Sequence, residues 1–109
     1  MRGVGFETHE GEGGDMAKFV SLINWTDQGA KTASDTVARA EAAQKMATEM
    51  GGTFDILWTM GQYDIVSISE FADDETAVKF LAKVAAAGNI RSSTMRAFDA
   101  DEVRRILGD

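Results

Sequence analysis

Thr53-Phe54-Asp55-Ile56-Leu57-Trp58-Thr59-Met60-Gly61-Gln62-Tyr63-Asp64-Ile65-Val66-Ser67-Ile68-Ser69-Glu70-Phe71 reads as two strands in close succession. In the first, Phe54, Ile56, Trp58 and Met60 alternate with Leu57 and Thr59; in the second, Ile65 and Phe71 oppose Val66 and Ile68. Successive strand side chains point to opposite faces, so a sheet built from these strands is apolar on both sides and needs cover on both. Gly61-Gln62 between them has the spacing of a tight two-residue hairpin.

The flanking segments extend the pattern. Lys18–Trp25 predicts a strand with Phe19, Ile23 and Trp25 on one side and Val20 and Leu22 on the other, ended by the turn-forming Thr26-Asp27-Gln28-Gly29. Asn24, Thr26 and Asp27 read as caps for the first helix. Thr32–Met50 predicts that helix, with Ser34 or Asp35 at its N-cap, and its Val37, Ala40, Ala43, Ala47 and Met50 recur at helical spacing. Its alanine stripe implies close approach of helix to sheet, and Gly51-Gly52 stops it. A second helix begins at Asp73-Asp74-Glu75, acids suited to a helix N-terminus, and carries Ala77, Phe80, Leu81, Val84 and Ala85 on one stripe. Gly88-Asn89 ends it, Ile90–Phe98 predicts a fourth strand, and Asp101–Leu107 a short terminal helix with Val103, Ile106 and Leu107 facing inward.

The order β-α-β-β-α-β with right-handed crossovers places two helices on one face of a four-stranded antiparallel sheet, an α+β ferredoxin-like plait. The expected face under the helices is Val20, Leu22, Leu57, Val66, Ile68, Met95 and Ala97. The expected open face carries Phe19, Ser21, Ile23, Trp25, Phe54, Ile56 and Trp58 from the first two strands. It also carries Ile65, Ser67, Ser69, Thr94, Arg96 and Phe98 from the last two. An aromatic face of that size on a lone subunit calls for a partner, and a homodimer through the open sheet face is the expected solution.

At 109 residues, with 44% hydrophobic and 27% charged residues, the chain has the composition of one soluble domain. It has no apolar run near the roughly 18 residues of a membrane span and no signal-like start, so no membrane partner is expected and a cytoplasmic location is the default. With no cysteine there are no disulfides, thiolate nucleophiles or cysteine metal sites. A net charge of −7 and a single adjacent basic pair, Arg104-Arg105, argue against nucleic acid as a partner. Residues 1–15 are polar and glycine-rich, as in a disordered extension. Glu10-Gly11-Glu12-Gly13-Gly14 before Met16 is also what the purine-rich codons of a ribosome-binding site would encode, so a mis-assigned start is the alternative. Residues 16–109 then form the single domain, with 10 basic and 14 acidic residues and a formal charge of −4.

Several motifs resemble the signatures of the GYD-domain family: Leu22-Ile23-Asn24-Trp25-Thr26-Asp27-Gln28-Gly29, Arg39-Ala40-Glu41-Ala42-Ala43, Gly61-Gln62-Tyr63-Asp64, Gly88-Asn89-Ile90-Arg91 and Met95-Arg96-Ala97-Phe98. The resemblance runs from about Lys18 to Phe98 and implies a fold of the dimeric α+β barrel group. It brings no established substrate or catalytic residue.

The residues themselves offer candidates. Arg96 on the expected open face needs an acidic partner, either a protein carboxylate or an anionic ligand. Trp25 and Trp58 are expected walls of a cavity between the sheets of a dimer, with Ser67 and Tyr63 as hydrogen-bonding groups and Ser69 and Thr94 beside them. The expected function is a homodimeric module holding a small anionic or aromatic metabolite there. A cofactor-independent oxygenase or isomerase, moving a proton with Tyr63 and Asp64, is the second reading, and a structural or accessory assembly protein with a dry interface the third. The hairpin offers Tyr63 and Asp64 a structural role as well, and Glu70 with Asp73 and Asp74 a hard-cation site or, more simply, a solvated acidic helix start. His9 is the only histidine and precedes the domain. Haem, which related barrels often ligate through histidine, is therefore not expected, nor is any other cofactor or a metal.

Overall fold

The computed structural model describes residues 16–108. The expectations for residues 1–15 lie outside the described residues. The elements are β1 (Ala17–Trp25), α1 (Asp27–Lys31), a single 3-10 turn (Ala33–Asp35), α2 (Thr36–Glu49), β2 (Thr53–Trp58), β3 (Ile65–Phe71), α3 (Asp74–Ala86), β4 (Ile90–Ala97) and α4 (Ala100–Leu107). The sheet order is β2-β3-β1-β4, antiparallel at every pairing. This is the ferredoxin-like plait expected from the element order. The long helix expected from Thr32 divides instead into α1, the 3-10 turn and α2, because Thr26 caps α1 by accepting from Gly29 N and starts helical structure five residues earlier.

The face assignment inferred from the sequence is inverted. Phe19, Ser21, Ile23, Phe54, Ile65, Ser67 and Ser69 are buried, and Phe19 and Phe54 share one core with Ala43 and Ala47 of α2 and Ala77 and Phe80 of α3. By register, Trp25, Ile56, Trp58, Thr94 and Arg96 belong to this helix-covered face. The open face holds Val20, Leu22, Leu57, Val66, Ile68 and Met95, with Leu57 70% exposed. The reason is volume and pairing. The Phe80 ring of α3 reaches between the rings of Phe54 and Phe71, at centroid distances of 5.0 and 5.1 Å. It shares a small gap with Ser21, so small side chains on the strands make room for large ones on the helix. Hydroxyls tolerate this setting when they pair across strands, as Ser21 Oγ and Thr94 Oγ1 do at 2.8 Å.

The β2–β3 connection is also wider than a two-residue hairpin. Thr59 N donates to Asp64 O at 2.9 Å and closes a longer loop, in which Gly61 has φ +110°, a backbone conformation that favours glycine. At the other end of the chain, Asp99 and Glu102 form a reciprocal capping box for α4. The inward residue of α4 is Glu102, which faces Lys18. Val103, Ile106 and Leu107, expected to face inward, are exposed, Ile106 by 61% and Leu107 by 75%. In a single chain, α4 therefore adds an apolar stripe to the surface instead of burying one.

Candidate functional site

The site is built at the end of the sheet where β1 finishes. Thr26 N donates to Asn89 O at 3.0 Å and Thr26 Oγ1 to Gly88 O at 2.7 Å. Gln28 Nε2 donates to Ala87 O at 3.0 Å and to Asn89 Oδ1 at 2.9 Å. These bonds latch the start of α1 to the α3–β4 connection so closely that a Cβ on Gly29 would lie 2.0 Å from Asn89 O. Arg39 of α2 joins the latch: Nη1 donates to Thr32 O and Oγ1 at 3.0 and 2.9 Å, and Nη2 to Gly29 O at 3.2 Å. The segments Asn24–Gly29, Arg39-Ala40 and Gly88–Ile90, far apart in sequence, thus meet in one place.

Beside this latch, between α2, α3 and the sheet, lies a pocket of about 220 Å³. Ile23, Trp25, Phe54, Ile56 and Ile65 form its floor, Ala40, Ala43 and Met46 one wall, and Val84, Ala87 and Ile90 the other. Its lining is almost wholly apolar. The alanines of α2 create it: their short side chains leave space above the sheet that Leu or Ile would fill. Two cations also line it, Arg39 on α2 and the exposed Lys83 on α3, and no carboxylate does. Trp25 Nε1 is buried without a hydrogen-bond partner among the described residues.

The residues singled out in the sequence are dispersed. Trp25 does form a pocket wall, but beneath the helices and not between two sheets. Trp58 lies nearby on β2, donating from Nε1 to Thr36 Oγ1 at 3.0 Å, outside the lining. Ser67 is 1% exposed, with an unpaired Oγ, and does not line the pocket. Arg96 lies at the opposite end of β1, beside Phe19 in register. It donates to Ala97 O at 2.9 Å, approaches Asp74 at 3.7 Å and stacks on Phe98 at 4.7 Å. Asp74 is thus the protein carboxylate within its reach. Asp64 Oδ2 accepts from Trp25 N at 3.0 Å, and Asp64 N donates to Ile23 O at 2.9 Å, so Asp64 continues the β1–β3 ladder past the end of β3. Tyr63 sits in the same loop, its carbonyl accepting from Thr59 Oγ1 at 2.6 Å, and neither residue reaches the pocket. Arg39 and Lys83 escaped sequence reasoning. The available signal was the alanine stripe of α2, which implies either tight contact or a void, with Arg39 at its margin.

The acidic candidates do not converge. Asp73 caps α3, accepting from Thr76 Oγ1 and N at 2.7 and 2.8 Å, and these bonds hold its carboxyl below the usual range. Asp74 turns to Arg96, while Glu70 is fully buried beside Lys18 in register. Lys18 Nζ lies 3.3 Å from Asp99 and 3.5 Å from Glu102. Burial opposes its charge, but the hydrogen bond to Asp99 and the fields of Glu102, Asp99 and Glu70 outweigh burial and raise its pKa above the ordinary lysine value. Among the described residues no cluster of His, Cys, Asp and Glu is arranged to hold a metal ion. No helix there is long and apolar enough to cross a membrane. The pocket does not fit a haem: it is far smaller than a porphyrin and no histidine, cysteine or tyrosine lines it.

Comparison with known proteins agrees with this architecture. The family model described as the GYD domain matches residues 19–107. A search of curated proteins gives no match. Among solved structures, a crystal structure provisionally assigned as a chlorite dismutase superposes with a TM-score of 0.54 at 19% identity. The superposition covers 84% of this chain and 48% of that one, so this chain spans about half the length of its structural neighbour. At that identity the likeness is one of fold alone.

Proposed function

The chain belongs to the GYD-domain family, and from that premise we propose a homodimeric module that binds a small, mainly apolar metabolite in the pocket beneath its helices. The observation that carries this reading is the pocket itself: about 220 Å³ of space with apolar walls, at the point where the latched segments meet. Most small-molecule sites are concave, largely apolar and formed before the ligand arrives. The buried Trp25 Nε1 supports the reading too, because a bound acceptor would satisfy a donor that the described protein atoms leave alone.

Pairing uses the other side of the sheet. Val20, Leu22, Leu57, Val66, Ile68 and Met95 lie together on the sheet face away from α2 and α3, half-buried or exposed among the described residues. A second copy laid face to face would bury it, and would brace the sheet that serves as the pocket floor. The enzyme reading through Tyr63 and Asp64 finds less support, since Asp64 is engaged with backbone groups and both residues stand outside the pocket.

Native mass spectrometry of freshly purified protein tests both parts. The expected result is a dimer carrying a small molecule that is lost in Ala40→Phe, a substitution that fills the pocket. An empty wild-type dimer that fails to take up any apolar probe contradicts the binding reading. A monomer at all concentrations contradicts the pairing.

A further inference from the structure

We infer that the metabolite is a one-ring monocarboxylate, its ring in the apolar body of the pocket and its carboxylate at the mouth between Arg39 and Lys83. The inference rests on the pocket being a binding site and adds the chemical class. Size sets the body. An apolar cavity of about 150 Å³ holds benzene, and this one, at about 220 Å³, has room for a ring and a short substituent.

Charge sets the head. In a chain with 18 acidic and 11 basic residues, the pocket lining contains Arg39, Lys83 and no acid. Among the described residues no carboxylate lies within 4 Å of the charged groups of Arg39 or Lys83. The acceptors that hold Arg39 are all neutral oxygens, Thr32 O, Thr32 Oγ1 and Gly29 O. They fix the plane of the guanidinium without cancelling its charge. Of its five N–H groups these bonds leave the one on Nε unengaged, and that hydrogen can meet a carboxylate. Lys83, exposed on the facing helix, supplies the second charge without needing a fixed geometry. An aliphatic or aromatic hydrocarbon would leave both cations unused, and a di-acid with its carboxylates at opposite ends of the ring would push one of them into apolar walls.

Titration of the dimer with phenylacetate, phenylacetamide and toluene, read by heteronuclear NMR at the pocket amides, tests the inference. Phenylacetate is expected to bind at least about tenfold more tightly than phenylacetamide, by the strength of charge-assisted hydrogen bonds, and to weaken in 0.5 M salt. Lys83→Gln, a change at an exposed position, should cut that preference by about threefold while leaving toluene binding alone; Arg39→Gln should remove most of the remainder. Equal binding of phenylacetate and phenylacetamide, or a preference unchanged in both variants, overturns the carboxylate assignment while the pocket reading stands. No response to any of the three probes overturns the pocket reading, and the inference falls with it.

Discussion

The two faces of this sheet are equally apolar in sequence and unlike in physical character. The helix-covered face mixes phenylalanine, isoleucine and tryptophan with buried serines, and its packing is uneven: dense around Phe54, Phe71 and Phe80, open between Trp25 and Met46. The other face groups Val20, Leu22, Leu57, Val66, Ile68 and Met95, with Asp55 and Ser93 in the same rows, and among the described residues only α4 lies over it, at the Lys18 end. Large and small side chains alternate where a face must receive helices of unequal bulk. Side chains of even size make a surface that a copy of itself can match. The difference separates two tasks: one side leaves a hole, the other offers a flat contact.

The contrast predicts unequal responses to substitution. Phe80→Ala should cost about 3–5 kcal/mol in urea unfolding, the usual loss for a truncated core aromatic; a loss below about 1 kcal/mol would mean that the dense part of the helix-covered face is not the core. Lys18→Met should cost a comparable amount, about 3 kcal/mol, because it removes the buried cation that pairs with Asp99 and Glu102. The pH dependence comes from the sign of its shift. A lysine whose pKa is raised by folding stabilises fully below its unfolded value of about 10.4 and loses that contribution as pH rises through the higher folded value. Wild-type unfolding free energy should therefore fall above about pH 10.4, and Lys18→Met should lack that step.

Ile68→Glu on the aliphatic face should leave the fold of one chain intact and shift the dimer towards monomer by at least a hundredfold in dissociation constant, seen by sedimentation equilibrium. A dimer indifferent to this change would remove the distinction between the faces. Asp64→Ala should have the smallest effect of the four, about 1–2 kcal/mol, from the lost acceptor for Trp25 N. Its pocket titration should match wild type, since Asp64 lies outside the lining.

Element order and sheet topology were legible in the chain, because alternation, glycine punctuation and helical spacing act locally. Which face met the helices was not legible. Alternation says that two sets differ, and both sets here are apolar enough to be core. Ser21, Ser67 and Ser69, expected on the open face, are buried beneath the helices, Ser21 paired across strands with Thr94. The same inversion carried Trp25, Trp58 and Ser67 to the wrong side of the sheet, although Trp25 does wall a pocket. Arg96 had the required chemistry but the wrong end of β1, where Asp74 and Phe98 hold it. Arg39 does stand at the pocket, and its role depends on Gly29 and Thr32 folding back onto α2, a contact that no sequence period reveals.

A single titration of isotope-labelled protein with phenylacetate tests the division of tasks most directly. Amide shifts confined to Trp25, Arg39, Met46, Val84 and Ala87–Ile90, with Leu22, Val66 and Ile68 unmoved, are the predicted result. Shifts centred on Leu22, Val66 and Ile68 instead would place binding on the aliphatic face and contradict the account.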